Sequence, residues 1–153
     1  CKSHAASFWW LFDWSCRTRN QQNSQQIYLW SNVEIATRWC QEYYGKATYT
    51  TGDILSIALD ADNNRLYFYK NGAIQNSGTG IVIPAAADTE FGAWMPAVGD
   101  WGNTSHVWSC NFGNGTFGTT AVSSAGTNAS GNGIFEYDVP TGYTALSTKG
   151  LNL

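Results

Sequence analysis

Residues 52–72 read GDILSIALDADNNRLYFYKNG, and this stretch decides the fold class. Its first half alternates as a β-strand requires, with Ser56 and Ala58 on one face. The apolar residues of the other face are Leu55, Ile57 and Leu59. Turn formers at 61–64 are followed by renewed alternation at 65–70, so the stretch predicts an antiparallel hairpin.

The alternation continues beyond this hairpin. Asn71-Gly72 is the preferred dipeptide for a type I′ turn, which predicts a third short strand at 73–75. The further predicted elements are a strand at 91–100 with Pro96 at an edge or bulge, a strand at 105–112, a loop at 113–133, a strand at 134–140 and a turn at 141–143. Helical periodicity is missing after Tyr49, so the chain is predicted to be all-β.

Composition narrows the class of protein. The chain has 153 residues, 43% of them apolar and only 12% charged, which fits one globular domain. Its formal charge of −3 offers no basic stripe for a phosphate backbone, so nucleic acid is not expected as a partner. No apolar run reaches the roughly 18 residues of a membrane span, so no membrane partner is expected either.

Residues 52–72 closely resemble the central hairpin of SPRY domains, in which a strand ending in Leu-Asp meets one reading Phe-Tyr-Lys-Asn-Gly. Residues 95–99, MPAVG, and 108–113, WSCNFG, resemble two later strands of that family in the same order. The ending at 137–146, YDVPTGYTAL, is similar to the closing motif of SPRY-like modules in bacteriophage structural proteins. The resemblance implies an antiparallel β-sandwich, the concanavalin A-like jelly roll, over about the last two-thirds of the chain.

The opening of the chain departs from that family. Only one glycine, Gly45, precedes residue 47, whereas five of the eight tryptophans and three of the four cysteines lie there. Residues 1–46 are therefore assigned to an atypical N-terminal segment and residues 47–153 to the SPRY-like sandwich. The polar run at 17–26 predicts a poorly packed stretch and an uncovered sheet edge.

A shifted reading frame is one hypothesis for this opening. Tryptophan has a single codon and therefore constrains the neighbouring bases. Read one base later, the codons of residues 9–15 permit Gly-Gly-Tyr-Ser-Ile-Gly, which resembles the early SPRY strand. The nucleotide sequence around Tyr44 tests this hypothesis, and the alternative is a divergent aromatic opening.

No constellation of catalytic or metal-binding residues stands out. The glutamates stand far apart, without the Glu-x-Asp-x-x-Glu strand of glucanases: Glu34, Glu42, Glu90 and Glu136. Asp60, Asp62 and Asn64 alternate as at the start of a calcium loop, but the glycine and the late carboxylate are missing, so a hairpin turn is predicted. The cysteine spacings match no zinc or redox motif, and free thiols are expected. The chain is therefore predicted to be no enzyme, with no metal and no cofactor.

The candidate binding residues lie in loops. Trp94 and Trp108 fall in strand patterns and are assigned to the core or the sheet surface. Trp101, by contrast, lies in a predicted turn between Asp100 and Asn103, where a flat ring and polar neighbours suit a sugar or a protein surface. These three residues are the predicted ligand site, together with the 113–133 loop.

The predicted function is a non-catalytic decoration or adhesion module of a phage particle. Its expected partners are a protein or a surface glycan and other virion subunits, and its expected location is the virion, assembled in the host cytoplasm. The alternatives are an intracellular SPRY protein-interaction module, a purely structural capsid or tail domain and, last, a glucanase-like glycosidase.

Overall fold

The computed structural model describes residues 8–13, 25–30, 51–89, 91–100, 107–125, 131 and 133–147. Its strands are β1 (Phe8–Asp13), β2 (Gln25–Trp30), β3 (Ile54–Asp60), β4 (Arg65–Lys70), β5 (Ala73–Ile74), β6 (Ile81–Val82), β7 (Met95–Asp100), β8 (Ser109–Asn111), β9 (Thr116–Phe117), β10 (Thr120–Ala121) and β11 (Thr144–Ala145). Within these ranges, helical backbone is limited to two 3-10 turns, Asn76–Gly78 and Ala86–Asp88. The described part is thus all-β, as predicted.

Strand β3 is the central strand of the main sheet. It pairs antiparallel with β1, from Phe8 opposite Leu59 to Asp13 opposite Ile54. On its other edge it pairs antiparallel with β4, and the predicted hairpin of residues 52–72 is confirmed. Because both edges of β3 are paired along most of its length, its backbone polar groups have partners within the sheet.

Each neighbour of β3 has its outer edge covered by two short strands placed end to end. The first two residues of β1 pair parallel with β11, and its last three pair antiparallel with β8. In the same way, β4 pairs with β6 at its start and with β5 at its end. These seven strands form one sheet, whereas β2–β7 and β9–β10 are separate two-stranded sheets.

Side chains on both faces of β3 are buried. The predicted apolar face packs into a first cluster of buried residues: Leu55, Ile57, Leu59, Leu66, Phe68 and Ile83. Ala58 on the opposite face is fully buried in a second cluster with Phe117, Phe135, Val139 and Ala145. A strand covered on both faces is an inner element of the fold, and full burial of each large aliphatic side chain stabilises it by about 1.5 to 3 kcal/mol.

The Asn71-Gly72 turn is bonded back to the beginning of β3. Both residues have positive φ, 48° and 77°, as a type I′ turn requires. The Asn71 side chain accepts a hydrogen bond from the Ile54 backbone N–H at 2.9 Å and donates to Asp53 at 2.7 Å. Asp53 also forms an ion pair with Lys70 at 2.9 Å. The turn therefore fixes the ends of two adjacent strands, and the predicted third strand is β5.

Two strands in the opening of the chain were missed by the sequence prediction. The edge expected to be uncovered is paired, because β1 lies against β3. The aromatic run FWWLFD has the composition of a strand, although it lacks the glycines of the family pattern. Most of the polar run at 17–26 lies outside the described residues, and its last two residues begin β2. The frameshift hypothesis stays a prediction.

Three further predicted elements are shorter than expected. In the 91–100 stretch only Met95–Asp100 is a strand, paired with β2 alone, which fits Pro96 in a two-stranded sheet. In the 105–112 stretch only Ser109–Asn111 is a strand, and residues 105 and 106 lie outside the described ranges. The 113–133 stretch is not wholly loop, because β9 and β10 form a hairpin within it.

The terminal strand predicted at 134–140 is wrong, because the chain forms no strand over these residues. The chain bends there and makes isolated bridges instead of a strand, one of which joins Asn114 and Ile134. Phe135 and Val139 are nevertheless buried, and Tyr137 packs beside them. The alternating side chains are thus packed into the core although no strand forms, because strand pairing depends on a distant partner. The predicted turn follows, with the Tyr143 N–H donating to the Pro140 carbonyl at 3.1 Å.

Candidate functional site

The loop site predicted from sequence lies at the border of the described chain. Asp100 is the last residue of β7, and its backbone stands opposite Gln25 of β2. Trp101 and Asn103 lie outside the described residues. A contact surface formed by these three residues therefore stays a prediction.

The other two tryptophans of that region are packing residues. Trp94 and Trp108 are half-buried against the first cluster, as predicted. The Trp94 indole N–H also donates to the Pro84 carbonyl at 3.2 Å, which orients its ring. Both rings thus pack against the buried side chains of the first cluster.

The glycine-rich 113–133 stretch is organised by one buried amide. Asn111 is fully buried, and its side chain donates to the Ile134 carbonyl at 2.9 Å. Its oxygen accepts from the backbone N–H of Gly113 at 2.8 Å and of Gly115 at 3.4 Å. The Asn-Phe-Gly motif noted in the sequence therefore has a structural role, since it joins the two ends of this stretch.

Glycine is required where those two ends meet. Gly113 and Gly133 have φ of 83° and 84°, and a Cβ on either would come within 2.9 Å of the other's Cα. An alanine at either position would be strained in its backbone and would collide with backbone atoms. The close approach explains these two glycines without a ligand.

Glu136 forms hydrogen bonds to two serines of the 113–133 stretch. Its carboxylate accepts from the Ser123 N–H at 2.6 Å, from the Ser123 hydroxyl and from the Ser124 N–H at 3.4 Å. Partial burial alone raises the pKa of Glu136, but these hydrogen bonds outweigh it and lower the pKa below its ordinary value. The other three glutamates, Glu34, Glu42 and Glu90, lie outside the described residues.

The predicted hairpin turn after β3 is confirmed. Asp60 accepts from the Asn63 backbone N–H at 3.0 Å and from its side-chain amide at 2.8 Å, and Asn64 has a φ of 52°. In the part of the chain that the structure describes, no three His, Cys, Asp or Glu side chains are grouped as metal ligands. The described cysteine, Cys110, is free, and burial raises the pKa of its thiol, which keeps it protonated.

A group of tyrosines on one face of the sheet is the candidate site that the structure adds. Tyr67 and Tyr69 lie two residues apart on β4, so both point to the face that carries the second cluster. Tyr137 and Tyr143 pack against that cluster from the C-terminal part of the chain. All four rings are half-buried, and we call this surface the tyrosine face.

Two of these tyrosines have perturbed ionisation. Burial raises the pKa of Tyr143, and the nearby Asp60 carboxylate and the Tyr67 and Tyr69 hydroxyls raise it further. Burial also raises the pKa of Tyr69, with a smaller contribution from Tyr67. Three phenols and one carboxylate are therefore close enough to influence each other, and Tyr69 and Tyr143 stay protonated at neutral pH.

Exposed aliphatic side chains border the tyrosine face. Ile74 stands opposite Tyr69 and Val82 opposite Arg65 in the sheet, so each lies on the same face as its partner. Ile74 is 43% and Val82 68% exposed, so neither side chain is part of the buried core. The face therefore combines aromatic rings, aliphatic side chains and few charges, as protein-binding surfaces do.

Glycines lie beneath two of the rings. A Cβ on Gly72 would lie 2.7 Å from a Tyr137 ring carbon, and one on Gly80 would lie 2.7 Å from Tyr67.

The alternation of Tyr67-Phe68-Tyr69 in the sequence indicates that two tyrosines share a face. The approach of Tyr137 and Tyr143 depends on the path of a distant segment and has no local signal.

Comparison with protein families and with curated proteins adds no relative. No protein-family model matches the chain, and a search of curated proteins finds no match either. Among the described residues, no helix is long and apolar enough to cross a membrane.

Proposed function

We propose that this chain is a non-catalytic binding and display module of a bacteriophage structural protein, built on an antiparallel β-sandwich of the SPRY type. The fold part of the proposal is supported by the resemblance of residues 52–72 and by the two-sided burial of β3. The phage setting rests on the resemblance of residues 137–146 alone.

The tyrosine face is the observation that carries the binding role. Tyrosine provides a large contact area with little loss of side-chain entropy and a hydroxyl that donates or accepts. Four such rings lie on one face beside exposed Ile74 and Val82. A purely structural domain has no need to keep this combination exposed, whereas a protein partner would cover it.

The partner on this face is proposed to be a protein. Its exposed aliphatic side chains, Ile74 and Val82, add apolar contact area to the tyrosine rings, as the core of a protein interface does. The loop of Asp100, Trp101 and Asn103 stays a predicted second contact, where a glycan or another virion subunit would bind.

Labelling of the particle tests the virion assignment. Gold-conjugated antibodies against the chain are applied to purified particles of the phage that encodes it. Label at the tail or capsid is expected, and particles from a deletion strain serve as the control. Unlabelled intact particles, with the chain detected only in infected cells, would instead favour an intracellular interaction module.

Binding and turnover assays test the absence of catalysis. The purified chain is applied to a glycan array and incubated with a panel of polysaccharides. We expect no release of reducing ends from any polysaccharide. Turnover that is abolished by Glu90→Gln or Glu136→Gln would overturn the proposal in favour of a glycosidase.

A further inference from the structure

Three tyrosines and one carboxylate form a compact group within the tyrosine face. Asp60 ends β3, and Tyr67 and Tyr69 follow on the same face of the adjacent strand. Tyr143 precedes β11, whose residues pair with β1 beside β3. Asp60, Tyr67 and Tyr69 all act electrostatically on Tyr143. We call these four residues the tyrosine–aspartate cluster.

We propose that the tyrosine–aspartate cluster binds a guanidinium group, the head of an arginine side chain on the partner protein. This inference rests on the proposed function, because it names the chemistry that the tyrosine face recognises. It assigns a ligand class to a surface that lies apart from the predicted loop of Asp100, Trp101 and Asn103.

The electrostatics of the cluster favour a cation. The face of an aromatic ring is electron-rich and attracts a cation placed over it, and a carboxylate adds a full negative charge. Two hydrogen bonds from Asn63 use part of the acceptor capacity of Asp60. An ionised carboxylate offers about four lone-pair sites, so Asp60 retains room for two more donors.

The described part of the chain supplies no cation of its own to Asp60. Arg65 stands opposite Asp60 in the sheet, but its guanidinium donates to the Gly80 carbonyl at 3.1 Å. The nearest lysine on β4, Lys70, pairs with Asp53 at the far end of the strand. No ion pair to Asp60 is formed among the described residues, so no cation in that part of the chain competes with a partner for this carboxylate.

Guanidinium suits this group better than ammonium does. It is planar, stacks on aromatic rings, is weakly hydrated and can donate two parallel hydrogen bonds to one carboxylate. Lysine would keep a strongly hydrated point charge and gain less from half-buried rings. The neighbouring Arg65 charge weakens the attraction, and its removal should therefore strengthen binding.

Small amides of single amino acids test the site on the full chain. N-acetyl-arginine methylamide is titrated while the tyrosine ring signals are followed by NMR, in parallel with the lysine and citrulline amides. We expect saturable shifts with arginine, weaker binding of lysine by about threefold or more, and no saturation with uncharged citrulline. Citrulline binding as tightly as arginine would overturn the proposal.

Variants locate the binding. Asp60→Asn and Tyr67→Leu are expected to weaken arginine binding by about fivefold or more, and Arg65→Gln to strengthen it. The matched control is Phe91→Leu, which removes an exposed ring that belongs neither to the cluster nor to the tyrosine face and should leave the affinity unchanged. Thermal melting verifies the fold of each variant, and Asp60→Asn, which preserves side-chain shape, remains decisive if a leucine variant unfolds. Unchanged affinity in folded Asp60→Asn would sink the idea.

The two proposals fail separately. A chain that labels the phage particle but does not bind the arginine amide overturns the guanidinium site and leaves the display module standing. A chain that binds arginine through Asp60 but never labels particles overturns the virion assignment and leaves the site standing.

Discussion

Asn111 and Ser56 are two buried polar residues that differ in the hydrogen bonding of their side chains. Both are fully buried in the described structure. Asn111 satisfies a carbonyl and two N–H groups, whereas the Ser56 hydroxyl has no hydrogen-bond partner among the residues that the structure describes. Burial of a polar group costs free energy unless a hydrogen bond compensates, so the two residues should respond to alanine in opposite ways.

Asn111→Ala is expected to lower the free energy of unfolding by about 2 to 4 kcal/mol, because it removes the hydrogen bond to the Ile134 carbonyl and leaves the buried Gly113 N–H without that acceptor. Urea denaturation followed by tryptophan fluorescence measures this loss. The matched control, Ser56→Ala, should change stability by less than about 1 kcal/mol and in the stabilising direction. Equal losses in both variants would contradict the assignment of Asn111 as the organising residue.

At the scale of elements, local patterns predicted the hairpins well and the longer-range pairings poorly. Residues 52–75 carry their own turn signals, Asp60 to Asn64 and Asn71-Gly72, and each lies where expected. The pairing of β1 with β3 joins residues more than forty positions apart, and no local signal specifies such a contact. The same holds for the tyrosine face, where only Tyr67 and Tyr69 could be grouped from sequence.

The contact between Glu136 and the β9–β10 region should depend on pH. The pKa of Glu136 is lowered in the folded chain, so its stabilising contribution is present above the ordinary value of 4.5 and is lost as pH falls through the lowered value. Amide exchange in residues 116–124 should therefore accelerate in mild acid.

Glu136→Gln provides the comparison for this pH dependence. The variant keeps an acceptor oxygen but cannot titrate, so its exchange in residues 116–124 should stay flat between pH 5 and pH 3, apart from the intrinsic chemical change. Hydrogen exchange read by mass spectrometry distinguishes the two chains. Parallel acid responses in both would show that another group governs this region.

At the scale of the whole molecule, we expect the opening of the chain to be required for folding. Strand β1 contacts three others, β3, β8 and β11, and so links the central hairpin to the C-terminal part of the sheet. Removal of residues 1–13 would expose the backbone edge of β3 and separate two strands from the sheet. The remaining chain should lose its cooperative thermal transition and aggregate.

Circular dichroism melting and light scattering measure that outcome. The matched control removes residues 1–7 only and keeps all of β1, and it should melt cooperatively. A cooperative transition in the chain lacking residues 1–13 would mean that the rest of the chain folds without β1, and would contradict this prediction.

The parallel pairing of Phe8 and Trp9 with Thr144 and Ala145 brings an early and a late strand side by side. In a unit with this geometry, the beginning of β1 and the end of β11 lie close together on adjacent strands. Such a unit can be inserted into a surface loop of a larger polypeptide, because the two ends of the host loop stay close together. For the same reason, a short linker could join residue 147 to residue 8 in a circularly permuted chain.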